Sequence, residues 1–298
     1  MDKITLIATM TFGFEAVVKR EVQALGFEIT SVSTGKVEFE ATPEDIPTAN
    51  LWLRCADRIL LKLGEFEAFT FDELFEQTKA LPWEAWITKD GRFTVTGKSV
   101  KSTLGSIRAC QSIVKKAVVE RLKDSYKIEW FDETGPDYTI QVSVLKDVAT
   151  LTIDTSGSGL HRRGYRAQAG HAPIKETFAA GMVLLSFWNK DRLLIDPMCG
   201  SGTILIEAAM IARNIAPGLR REFASEEWPA IDIKAWRNAR HAAFAAINKD
   251  KELDLQLFGY DIDEHSINAA KANALHAGVG QDIIFEPKDI HDLWIDQP

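Results

Sequence analysis

Leu193-Leu194-Ile195-Asp196-Pro197-Met198-Cys199-Gly200-Ser201-Gly202-Thr203 is the stretch on which the reading of this chain turns. An apolar run ends in an acid, a tight glycine turn follows, and Ile204 to Ala212 continues as a helix. Glycines let the backbone approach a ligand closely, and a helix N-terminus presents free N–H groups. In open α/β sheets, ligands lie at the carboxyl ends of such strands. Two phosphate-binding patterns fail here. A dinucleotide fingerprint needs a third glycine where Leu205 stands, and a P-loop needs a lysine and a hydroxyl residue where Thr203-Ile204 stand. A dehydrogenase is disfavoured on that ground.

The next two strands also end in acids. Leu257-Phe258-Gly259-Tyr260-Asp261-Ile262-Asp263 places a carboxylate where it can accept ribose hydroxyls, Asp261 better than Asp263. Ile283-Ile284-Phe285-Glu286 leads to Asp289, which can accept from an adenine amino group while Ile262 and Ile290 pack on the ring. Asp196 suits a cationic amino group, although a strand-end helix cap is the plainer reading of it. Amino acid, ribose and adenine thus find partners on successive strand ends, and S-adenosylmethionine carries all three.

Around this segment, strands alternate with helices from residue 172 onward, with a long insertion after the helix at 204–212, which predicts a parallel doubly wound sheet. Upstream, residues 1–60 read as strand, helix, strand, helix, with the last helix over Leu51 to Leu63. A second α/β unit follows. Its strand at Arg92–Thr96 precedes a long helix from Ser106 to Leu122, and strands 138–144 and 148–154 form a hairpin about a Lys146-Asp147 turn. Ser156 to Arg166, rich in glycine and arginine, reads as a connector.

Length, 298 residues, suggests about two domains, and 46% hydrophobic with 26% charged residues fits a globular protein with sizeable cores. No apolar run reaches the roughly 20 residues that span a bilayer, and no signal peptide opens the chain. Three cysteines and six histidines show no ligand spacing, so no metal is expected; a reducing cytoplasm fits best. Cys199 reads as a packed residue, and Trp228 and Trp236 as core anchors rather than base-stacking platforms.

A net charge of −8 excludes a polycation but not a local basic face. Arg108, Lys115, Lys116 and Lys123 fall within an arc of roughly 100° on the long helix. Ile107, Cys110, Val114, Ala117 and Val118 fall largely opposite, toward a core. With Lys98 and Lys101 before the helix, and Arg162, Arg163 and Arg166 in the connector, these cations are candidates for neutralising RNA phosphates. A solvated charged face and a solubilised linker are the plainer alternatives.

Residues 196–203 resemble the first motif of class I methyltransferases, in the Asp-Pro-x-Cys-Gly-Ser-Gly-Thr form of enzymes that methylate exocyclic amino groups of bases. Gly159-Leu160-His161-Arg162-Arg163-Gly164-Tyr165-Arg166, with Ala172-Pro173-Ile174-Lys175-Glu176, resembles the approach to the catalytic domain of THUMP-containing ribosomal RNA guanine-N2 methyltransferases. Leu51-Trp52-Leu53-Arg54 and Leu81-Pro82-Trp83-Glu84 are similar to the same family's front end, so the resemblance covers essentially the whole chain. It implies an α/β protein with a ferredoxin-like domain (1–65), a THUMP RNA-binding domain (66–158) and an incomplete Rossmann-like methyltransferase domain (159–298). It also implies a cofactor site of Pro173, Asp196, Pro197, Gly200, Ser201, Gly202, Thr203, Asp261, Ile262, Asp263, Asp289 and Ile290.

The implied partner is structured RNA, of the large ribosomal subunit. The family's Asn-Pro-Pro-aromatic motif is not found before Pro298, so no catalytic residue is expected within this chain and turnover is not expected of it. Alternatives are a DNA adenine-N6 methyltransferase and a non-catalytic RNA-binding module with a vestigial cofactor site.

Overall fold

Period-two burial builds the first half of the molecule. In β6 (Asp137–Leu145), Tyr138, Ile140, Val142 and Val144 are buried and their neighbours are not. The computed structural model describes residues 3–166, 173–186, 188–250 and 253–293; Ala172, quoted in the resemblance, lies outside these. The chain runs β1 (Ile4–Thr9), α1 (Glu15–Ala24), β2 (Glu28–Ser33), β3 (Lys36–Ala41), α2 (Ile46–Trp52), β4 (Arg58–Glu67), α3 (Phe71–Ala80), β5 (Arg92–Val100), α4 (Ile107–Tyr126), β6 and β7 (Val148–Asp154). The seven strands form one sheet in the order β2-β3-β1-β4-β7-β6-β5. Only β5 and β6 pair in parallel; the other pairings are antiparallel. The hairpin expected at Lys146-Asp147 is present, with φ of +51° and +65° at its two turn residues, the left-handed pair that suits strand twist.

One sheet face packs on the helices, where Leu6, Phe39, Leu61 and Leu151 share a core with Val18, Leu74 and Val114. The other face is a polar trough of about 1030 Å³, lined among others by Thr5, Lys62, Lys98, Gln141, Ser143 and Thr150.

β4 corrects the sequence reading. The helix expected over residues 51–63 ends at Trp52, and Ile59, Leu60 and Leu61 are consecutive buried residues of a strand between β1 and β7. A strand buried on both faces shows a continuous apolar run, which periodicity cannot separate from a helix. β2 was not anticipated because it is an exposed edge strand with no buried residue to set a period. The family-style boundary at residue 65 falls inside β4, so the two front units share a strand and a sheet.

The second half contains α5 (Glu176–Leu185), β8 (Leu194–Asp196), α6 (Thr203–Ala212), α7 (Ile233–Ala245), β9 (Leu257–Asp261), α8 (Glu264–Ala277) and β10 (Ile284–Pro287). Its strands are parallel, in the order β10-β9-β8, as the alternation of strands and helices predicts. A core of Leu205, Ile206, Leu257, Ile267, Ala270 and Phe285 fastens α6 and α8 to them.

The insertion between α6 and β9 leaves this unit and docks on the first. Phe223, Trp228, Ile231 and Trp236 belong to the front-end core, as the core-anchor reading of the tryptophans expects. Trp228 stacks on Tyr138 with ring centroids 5.0 Å apart, and its Nε1 donates to the Asp137 carbonyl at 3.1 Å. Backbone bonds add to this seam: Gly218 N donates to Leu51 O at 2.9 Å, and Ser225 N to Thr155 O at 3.1 Å. Truncating a fully buried tryptophan costs about 3–5 kcal/mol through lost transfer energy and the remaining cavity. Trp228→Ala should lower the unfolding free energy by that amount and, in chemical denaturation, loosen the coupling between the two halves into a broader or biphasic transition.

Candidate cofactor site

Three parallel strands deliver three acids to one end of the small sheet. Asp196 closes β8, Asp261 closes β9, and Asp289 stands two residues beyond β10. Register keeps them adjacent, with Asp196 opposite Gly259 and Asp261 opposite Pro287. The glycine turn between β8 and α6 is bonded to its neighbour strand. Cys199 N donates to Tyr260 O at 2.8 Å, Gly200 N to the Asp261 carboxylate at 2.9 Å, and Gly202 N to Cys199 O at 2.8 Å. Fully buried Asn273 of α8 donates to Ser201 O at 3.2 Å. Nothing in the sequence around Asn273 marks it as a loop support.

The two glycines do different work. Gly202 has φ +77°, and a Cβ there would meet Phe285 at 2.8 Å and Ala270 at 3.0 Å. It is needed for close packing of α6 on the sheet. Gly200 has φ +52°, and a Cβ there would meet nothing within 4 Å, so open space lies over the turn on the side where a ligand would sit.

Asp196 is half-buried, and burial pushes its carboxyl above the usual range, with the Asp261 charge pushing the same way. Among the described residues its carboxylate accepts from Met198 N, at 3.3 Å. Among the described residues no cation pairs with Asp196 or Asp261, and the two acids stand near one another at the turn. Cys199 beside them is pushed up to about 12 by burial and by both acids, which makes it an inert packed thiol, as expected. Ile262 and Ile290 are 74% and 45% exposed at the exits of β9 and β10, apolar surface left open beside the acids.

The remaining acids are occupied locally. Asp263 caps α8, accepting from His265 N, Ser266 N and Ser266 Oγ; the Ser266 bond leads in holding its carboxyl below the ordinary value. Asp289 caps the turn at residues 290–292, accepting from His291 N at 2.9 Å and Nδ1 at 2.8 Å. Pro197, Ser201 and Thr203 lie in the turn and the first position of α6, and Pro173 is half-buried one residue before Ile174, which is tied to Thr203 through Arg166.

The candidate RNA cations do not form one surface. Arg108, Lys115 and Lys116 are exposed and Lys123 half-buried on the outward side of α4, with Lys116 over the Phe75 ring at 5.3 Å. Cys110, Val114, Ala117 and Val118 are buried opposite them, but Ile107 is 42% exposed because it opens the helix beyond the sheet core. Lys98 lines the open trough on the other sheet face, and Lys101 stands at a turn with φ +50°.

The connector is not a solvated linker. Arg163 is 3% exposed, and its guanidinium donates to Leu160 O, Arg54 O and the fully buried Glu207. Arg166 is held by Ile174 O, Thr203 Oγ1 and Glu176. Both leave the RNA-binding set: their charge is spent on carbonyls and carboxylates inside the protein. Arg162 alone of the three is exposed and, among the described residues, has no ion partner. Arg54, Tyr165, Glu207 and Arg221, which complete this internal network, were not singled out by sequence because charge patterns by themselves do not reveal burial.

Replacing Gly202 by alanine should cost about 2 kcal/mol or more, from left-handed strain and the clash with Phe285. Gly200→Ala should cost only about 1–2 kcal/mol, from the backbone term. Chemical denaturation of the two variants checks the difference.

Known proteins resemble the chain over nearly its whole length. Residues 163–297 match the RMKL-like methyltransferase domain, residues 5–60 the RlmL ferredoxin-like domain and residues 68–154 the THUMP domain. A Bacillus subtilis protein named "Putative RNA methyltransferase YpsC" is 52% identical over 295 residues, 98% of this chain and 76% of its own. The structure of a "predicted N6-adenine-specific DNA methylase" from Listeria monocytogenes is 50% identical with a TM-score of 0.95, covering 99% of this chain and 77% of that one. The structure of SMU.472 complexed with SAH is 40% identical with a TM-score of 0.93, covering all of this chain and 78% of that one. A glycine turn flanked by strand-end acids stands behind a THUMP front end, and the chain belongs to the THUMP-domain family of S-adenosylmethionine-dependent RNA methyltransferases.

Proposed function

We propose that the protein serves methylation of an exocyclic base amino group, guanine N2, in large-subunit ribosomal RNA. The observation that carries the reading is the Asp196–Thr203 turn, in the amino-methylating form of the motif, on a chain whose front half contains a THUMP unit. The ferredoxin-like (1–65) and THUMP (66–158) units hold the RNA, and residues 159–298 hold the cofactor. Asp196 and the turn at Gly200–Thr203 take the cationic amino-acid end, Asp261 the ribose, and Asp289 with Ile262 and Ile290 the adenine. Asp263 is left to its capping role. The exposed face of α4 takes phosphates, with Arg108 and Lys115 in the lead.

S-adenosylmethionine, when bound, supplies a methyl group on a sulfonium for direct transfer to nitrogen. What this chain contributes is placement: the turn is pinned to Asp261 and Asn273, and the acids favour a positively charged ligand over a neutral one. The target base must leave its stack to reach the methyl group.

A DNA adenine-N6 reading draws on the description of the Listeria neighbour, and the THUMP unit weighs against it. Nucleoside analysis of ribosomal RNA and DNA from cells with and without the gene decides between them. Loss of one N2-methylguanosine from ribosomal RNA is expected; loss of N6-methyladenine from DNA, with ribosomal RNA unchanged, would overturn the proposal.

The raised Asp196 carboxyl gives a second expectation. A carboxyl whose folded value lies above its unfolded value destabilises the protein once pH exceeds both, so at neutral pH the empty site carries a cost. Asp196→Asn should raise the melting temperature of the unliganded protein at pH 7. Cofactor affinity in the native protein should fall as pH drops through the Asp196 value, which burial raises above that of an ordinary aspartate. Calorimetric titration with S-adenosylmethionine between pH 4 and 8 measures the second effect, and a flat profile would remove Asp196 from the ammonium site.

A further inference from the structure

The arginines of the connector remain to be explained, since Arg163 and Arg166 do not face solvent. Arg166 stands at the only described junction between three parts of the cofactor region. Its Nη2 donates to the carbonyl of Ile174 at 2.9 Å and to the hydroxyl of Thr203, the first residue of α6, also at 2.9 Å. The same nitrogen lies 3.4 Å from the Glu176 carboxylate at the start of α5. One turn further along α6, Glu207 receives Tyr165 Oη at 3.1 Å and Arg163 Nε at 3.4 Å. Three neighbouring connector residues thus hold α6 at two points one helical turn apart, and the upper point is the end of the glycine turn.

The contact between Arg166 and Glu176 is half made. A guanidinium and a carboxylate pair best through two parallel bonds. Here Arg166 Nε and Glu176 Oε2 are both buried, and among the described residues neither has a hydrogen-bond partner. The groups that would complete the fork are present, and buried polar atoms left unpaired are costly.

We propose that Arg166 is a positioning residue for the amino-acid end of the cofactor, fastening residues 174–176 to the first turn of α6. Seating of the amino-acid end completes its fork with Glu176. The proposal rests on the reading that the turn at Gly200–Thr203 holds that end. It does not require Arg166 to touch the ligand: its side chain is 16% exposed, and its bonds go to the two segments that flank the turn.

The test is calorimetry at a temperature where circular dichroism shows each variant folded, with two ligands. S-adenosylhomocysteine carries the amino-acid end; 5′-methylthioadenosine has the same nucleoside without it. Arg166→Gln should weaken S-adenosylhomocysteine about tenfold, the loss of one charge-assisted hydrogen bond. Arg166→Lys, which keeps the charge but cannot reach both acceptors, should fall between it and the native protein. Methylthioadenosine should change less than twofold in either. If the Arg166 variants do not fold, Glu176→Gln carries the same comparison, with a smaller loss in the same direction. Equal losses for both ligands, or a lower melting temperature with unchanged affinities, would overturn the proposal and leave Arg166 a fold-stabilising residue. Failure of the native protein to bind S-adenosylhomocysteine would instead overturn the site assignment, and the proposal with it.

Discussion

Burial of the Arg163 guanidinium is the constraint on which the arrangement of the two halves depends. It lies between the Arg54 carbonyl of the front end and Glu207 of α6, with side-chain exposures of 2% and 0% for the ion pair. A buried pair repays its desolvation only when the remaining donors and acceptors are also satisfied, and removing one partner leaves a stranded charge. Such a pair contributes less to total stability than to uniqueness: other seatings of α6 against the front end would leave Arg163 or Glu207 unpaired. Arg54 donates to Ile215 O beyond the end of α6, and Arg221 binds the carbonyls of Ser156, Ser158 and Gly159. The connector is therefore clamped along its length by guanidinium groups from both sides.

The cofactor pocket shows the opposite economy of charge. Inside the seam the guanidinium groups of Arg54, Arg163 and Arg221 all donate to carbonyls or carboxylates, whereas among the described residues Asp196 and Asp261 have no cationic partner. Elements that pack well surround a site that is electrostatically unfinished. That contrast separates structural from functional charge in this molecule more clearly than residue type does, since arginine and aspartate serve both purposes.

How far the sequence was legible follows from which signals are local. The glycine turn, the acids after β9 and β10 and the Lys146-Asp147 hairpin turn each follow from chain geometry within a few residues, and the structure contains them. The strand at Arg58–Glu67 was misread because its apolar run takes meaning only from β1 and β7 on either side. Arg163 and Arg166 were misplaced for a related reason. A glycine- and arginine-rich stretch looks solvated until the carbonyls and carboxylates that receive its donors, from Arg54 to Glu207, are brought to it by the fold. Asn273 supports the turn from α8, 72 residues away from Ser201, with no local mark at all.

The docking of the insertion also has a consequence for biogenesis. Tyr138 completes its packing only when Trp228 arrives, and roughly 90 residues separate them in the chain. The last strand of the front sheet ends at Asp154, 74 residues (228 − 154) before Trp228, so at synthesis rates of about 5–20 residues per second the sheet would wait roughly 4–15 s with an apolar flank exposed. An exposed aromatic surface of that kind is a surface for chaperones or for aggregation in the interval. The order of elements in this gene therefore sets a window of vulnerability during translation that closes only when the second half begins to fold.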